Sequence, residues 1–144
     1  MGLNTLPAAN GGIMKIRVGL YILFCAPVTV YIDTESGDGS GYLRWSPEGY
    51  GEIVVGIRGK SWPEAFHTLH HEVLEMAFLL GQAEFEPFTV LKDSSAGRFM
   101  FIADHAKFTV ISQNAADMLC CAIPDFSTAF TKITKRKKRK GKTT

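Results

Sequence analysis

The segment that begins at Ser61 limits the fold more than any other part of the chain, because the hydrophobic period changes there. Before it, apolar residues come in short β-branched and aromatic runs. After it, they recur at helical spacing. Ser61 can cap a helix, Glu64 stands three residues on as its reciprocal partner, and Pro63 is tolerated in a first turn. The spacing predicts a helix from Trp62 to about Leu80, stopped at Gly81. At 100° per residue, Trp62, Phe66, Leu69, Val73, Met76, Ala77 and Leu80 share one broad face. Leu74, Phe78 and Leu79 lie on the other side. A helix apolar nearly all round is a buried one.

The remaining segments follow from the same reading. Residues 13–24 and 28–33 are read as strands split at Pro27, residues 42–45 as a short strand and residues 51–58 as a strand around Ile53, Val54, Val55 and Ile57. The glycines of residues 34–41 mark a turn. Residues 88–92 and 98–102 flank a turn-rich stretch and predict a hairpin. Phe108, Ile111, Ala115, Met118, Leu119 and Ala122 keep helical spacing, so a second helix is expected, ended by Pro124, with residues 126–133 open to adding a further turn or two before the basic tail. Cys120 and Cys121 fall in its apolar stripe and are read as core. The expected fold is α+β, a small mostly antiparallel sheet packed on a buried site-bearing helix and a second helix. Residues 1–12 read as a flexible leader, 13–134 as a single domain and 135–144 as a disordered basic tail.

Charge divides the chain. Seven of its 16 basic residues are Lys135, Arg136, Lys137, Lys138, Arg139, Lys140 and Lys142, leaving nine elsewhere against all 14 acidic ones, a net −5 body beside a +7 tail. The tail has no aromatic residue for base stacking and no apolar period. As a polycation it is a candidate for nonspecific, salt-sensitive nucleic-acid binding, or for an acidic partner. No stretch is long and apolar enough for a transmembrane helix. The run nearest to a signal peptide is broken by Pro27. Three cysteines, two of them adjacent, make no disulfide framework, which fits a reducing, intracellular setting.

The chemistry lies on the first helix, in His67, His70, His71, Glu72 and Glu75. Ionisable groups on an otherwise apolar helix need partners, because burying them unpaired is costly. His71 and Glu75 are one turn apart and project from the same side, with Glu72 about 100° further round. A helix supplies two metal ligands and an offset carboxylate in this way, the ligands stacked to converge on one ion and the carboxylate displaced to reach water.

A strand, a capped turn and a buried helix carrying His-Glu-x-x-Glu resemble the core of the zincin metallopeptidases, in which the strand before the helix lines the substrate cleft. The narrower likeness is to small phage- and prophage-encoded proteins with such a helix followed by a separate histidine. Here the helix motif is Leu69-His70-His71-Glu72-Val73-Leu74-Glu75, and the later histidine is His105, with Phe108 and Ile111 three and six places on. The resemblance implies a Zn2+ site of His71, Glu75 and His105, with Glu72 as general base in metal-assisted hydrolysis of a peptide or protein substrate. It also implies the host cytoplasm as the setting. Most zincins have a second histidine where this chain has Glu75. Two histidines and a carboxylate still suit zinc, and equally other divalent first-row metals. His67, one turn before His71, is an alternative ligand. Asp104 either caps the second helix or orients a liganding imidazole. The competing expectation is a non-enzymatic phage accessory or virion-associated protein that docks through its basic tail.

Overall fold

The computed structural model describes residues 15–37, 41–82, 84–85, 100–101 and 103–140. The expected leader lies outside them, as does most of the expected 88–102 hairpin. Four strands form one sheet: β1 (Lys15–Leu23), β2 (Ala26–Asp33), β3 (Gly41–Trp45) and β4 (Gly51–Gly56). Their order is β1-β2-β4-β3. The β1–β2 and β3–β4 ladders are antiparallel and β2–β4 is parallel. With two helices, α1 (Trp62–Leu80) and α2 (His105–Lys140), the fold is α+β with a mostly antiparallel sheet. A separate two-stranded ladder pairs β5 (Glu84–Phe85) with β6 (Met100–Phe101).

The first hairpin turns at Phe24 and Cys25, both with positive φ (50° and 63°), as a two-residue connection requires. Pro27 therefore sits inside β2 opposite Ile22, not between strands. In such a hairpin the pair flanking the turn, Leu23–Ala26, exchanges hydrogen bonds, and the next pair does not. The nitrogen of Pro27 thus points away from β1, where β4 has not yet begun, since its pairing starts at Val28.

Alternation along the strands sends Val28, Val30 and Ile32 of β2, and Ile53 and Val55 of β4, to one fully buried face. Both helices cover that face. α1 contributes Ala65, Leu69, Val73, Met76 and Ala77 to the core, and α2 contributes residues such as Ile111, Met118 and Phe126. The capping box forms as expected: the Ser61 backbone N–H donates to Glu64 Oε2 at 2.7 Å. Gly81 ends α1 without a left-handed turn. A Cβ there would run into Ile111 of α2, and the left-handed residue is Gln82 (φ 53°). Glycine at 81 therefore serves the close approach of two helices.

Three further expectations change. α1 is not wrapped on all sides: Leu74, Phe78, Leu79 and Leu80 are half-buried and His71 is exposed, which leaves one flank open. α2 does not stop at Pro124 but continues to Lys140. An internal proline costs about 3 kcal/mol or more. Beyond it, Phe126 and Phe130 pack on Trp62 with ring centroids 5.9 and 5.6 Å apart, and Ala129 is buried too. That packing holds the chain helical past the break. Residues 135–140 are consequently the last turns of α2. Finally, Cys120 and Cys121 are exposed, because the buried stripe runs through Ile111, Ala115, Met118, Ala122 and Phe126 and turns both thiols outward.

Candidate metal centre

α1 carries the site on its open flank. His71 and Glu75 stand one turn apart, with Nε2 and Oε2 separated by 3.6 Å. Two ligand atoms on one tetrahedral zinc lie about 3.3 Å apart, given bonds of about 2.0–2.1 Å. The pair is thus spaced as two ligands of one ion would be. Glu72 completes the group: the ligand atoms of His71, Glu72 and Glu75 all lie within 4.8 Å of one another, so the three could hold a metal ion.

Their environments differ. The side chains of His71 and Glu75 are 64% and 31% exposed, whereas Glu72 is buried at 5%. Burial, and then the nearby charge of Glu75, push the Glu72 carboxyl above its usual range, while His71 and Lys60 pull the other way. No side chain among the described residues donates a hydrogen bond to the Glu72 carboxylate. Two carboxylates this close, one of them buried and without a side-chain donor among the described residues, are a set that a divalent cation would relieve.

Gly41 makes room for this carboxylate. A Cβ at Gly41 would collide with Oε1, Cδ and Cγ of Glu72. The absent side chain lets β3 pass directly against the site. Among the described residues β3 is one of the two sheet edges, with β1 the other, whereas β4 is paired on both sides. Among the described residues, β3 is therefore the strand beside the helix whose outer backbone edge is unpaired.

The other sequence candidates are placed as follows. His105 is the exposed first residue of α2 and is not in the group drawn together by His71, Glu72 and Glu75. The reason is local. The Asp104 side chain accepts the backbone N–H of Lys107 at 2.8 Å and its carbonyl accepts that of Phe108 at 2.9 Å. Asp104 is a helix cap, and the residue after it starts a turn that faces solvent until Ile111. His67 is exposed and lines a cavity one turn before His71. His70 is half-buried, its ring 6.2 Å from that of Phe66.

Sequence reading missed two features. Gly41 looked like one more turn glycine, although a run with glycines at 37, 39 and 41 has more of them than one turn needs. The cavity beside His67, about 600 Å³ and lined also by Arg58, Lys60 and Thr68, joins a loop to a helix flank and leaves no local signal. No helix among the described residues is long and apolar enough to cross a membrane. No family model, no curated protein and no solved structure matches the chain.

Proposed function

We propose that the chain is a zinc-dependent hydrolase of the zincin kind, cutting a peptide bond at the open flank of α1. The observation that carries the reading is the convergence of His71 Nε2 and Glu75 Oε2 at 3.6 Å beside a buried, offset Glu72. His71 and Glu75 hold the ion. When bound, zinc supplies a Lewis acid that acidifies water and polarises a carbonyl. Glu72 is the proton acceptor, set back from the ligand pair so that its carboxylate takes the proton of the attacking water and delivers it to the leaving amine. Its burial favours the protonated intermediate state in that transfer. The edge of β3, unpaired among the described residues, gives an extended peptide a row of backbone groups to pair with, at the point where Gly41 touches Glu72.

Metal analysis after dialysis of the full chain tests this. About one equivalent of zinc is expected, with affinity reduced more than about tenfold in His71→Ala and in Glu75→Ala. Glu72→Gln is expected to keep metal and abolish peptide hydrolysis. Folded protein that takes up no zinc overturns the reading. His105→Ala belongs in the same series. Loss of zinc there would recruit His105 as a third ligand; retention leaves the ion to the α1 group.

A second reading is favoured by one observation: the basic run continues α2 as helix over residues 135–140. In it the domain is a non-enzymatic module docked on nucleic acid through a helical polycation, and the α1 cluster is structural.

A further inference from the structure

The cavity next to the metal centre carries a chemistry of its own. It is an open hollow of about 600 Å³ whose lining includes Gly37, Arg58, Lys60, Glu64, His67 and Thr68. His67 and Thr68 stand one turn before His71 and Glu72 on the same flank of α1, so the cavity opens about 5–6 Å along the helix from the cluster. An extended peptide covers that distance in one or two residues.

The cavity's cations outweigh its anion. Glu64 is already engaged, accepting the backbone N–H of Ser61 at 2.7 Å and its hydroxyl at 2.6 Å. Lys60 Nζ donates to Thr68 Oγ1 at 2.9 Å, which spends one of three donors. The guanidinium of Arg58 has no hydrogen-bond or ion-pair partner among the described residues. Its backbone is held, because its N–H donates to the Ser36 carbonyl at 2.9 Å. A guanidinium on a fixed backbone in the lining of this cavity, its fork of donors unused among the described residues, is suited to a carboxylate.

We propose that this cavity binds a carboxylate of the peptide acted on at the adjacent metal centre, one or two residues from the bond cut, so that the enzyme selects acidic peptides. The inference rests on the hydrolase reading for its substrate. The carboxylate comes from an Asp or Glu side chain or from the peptide's C-terminus. Arg58 is the specificity residue, with Lys60 and His67 supporting it.

The test is binding, kept apart from cleavage. Fluorescent peptides with Asp or Glu at successive positions are compared with their Asn and Gln counterparts, each with a free or an amidated C-terminus. Anisotropy is read on full-length Glu72→Gln protein with and without zinc. The acidic peptides are expected to bind about tenfold tighter, with the preference weakening as salt rises. The amidated set shows which source of carboxylate is used. Arg58→Gln in the same background should cut the preference to about twofold or less, and Arg58→Glu should reverse it; circular dichroism confirms that each variant is folded. Equal binding of acidic and neutral peptides, no binding by any of them, or a preference that survives Arg58→Gln overturns the proposal. An Arg58-dependent preference in a protein whose wild type cuts nothing overturns the hydrolase reading and leaves the carboxylate site standing.

Discussion

Glu72 is a buried carboxyl whose proposed role as proton acceptor and whose effect on stability both follow from its burial. Its carboxyl is held above the ordinary range, chiefly by burial, so the folded chain binds its proton more tightly than the unfolded chain does. The resulting stabilisation is complete below the unfolded value near 4.5 and is lost as pH rises through the folded value. Once ionised, the group therefore opposes folding of the metal-free protein. Glu72→Gln is expected to raise the melting temperature at pH 7 without metal and to flatten its rise on acidification. A lower melting temperature at pH 7 would show that the carboxylate has stabilising partners. Gly41 is tested at the same scale. Gly41→Ala forces the Glu72 side chain aside, an overpacking cost of about 1–3 kcal/mol in denaturant unfolding. In a Glu72→Ala background that cost should vanish, and a double-mutant cycle showing additivity would place the conflict elsewhere.

At the scale of the element, α1 has a core side and a side that carries the candidate metal cluster, formed by separate residues. Leu69 is fully buried between the sheet and the helices. Leu69→Ala is expected to cost about 2–5 kcal/mol in denaturant unfolding. Because Leu69 lies on the core side, zinc affinity measured under native conditions should stay within about threefold. A large loss of zinc in a protein still folded would mean that the ligand pair depends on core packing. The element also shows what a local rule can miss. Capping and period placed α1 from Trp62 to Leu80, as observed. The same kind of rule ended α2 at Pro124, where the contacts of Phe126 and Phe130 with Trp62 outweigh the lost hydrogen bond.

Across the whole molecule, charge is segregated by architecture. The last core residues of α2 are Ala129 and Phe130, with Ile133 packed at the margin, and the basic run follows them along the same helix. Removing residues 135–144 is expected to leave the melting temperature unchanged within error. It should lower affinity for a generic oligonucleotide by about tenfold or more at low salt, with a flatter salt dependence. Unchanged binding would move the contact to the folded body. The net −5 of that body includes Glu72 and Glu75, which a bound cation would partly neutralise.

What the sequence by itself determined is local. The alternation of Val28, Val30 and Ile32, the capping box of Ser61 and Glu64, and the stacking of His71 on Glu75 depend on residues within a few positions of each other. Strand and helix geometry then dictate which way each side chain points. The tertiary structure alone decided the rest, because those features join parts of the chain distant in sequence. It put β3 at the edge of a sheet with β2 and β4 parallel, and Gly41 against Glu72. It set Arg58 in the lining of a cavity shared with His67, and left His105 outside the group that His71, Glu72 and Glu75 form. Periodicity tells a residue which face it occupies; only packing tells it what stands opposite.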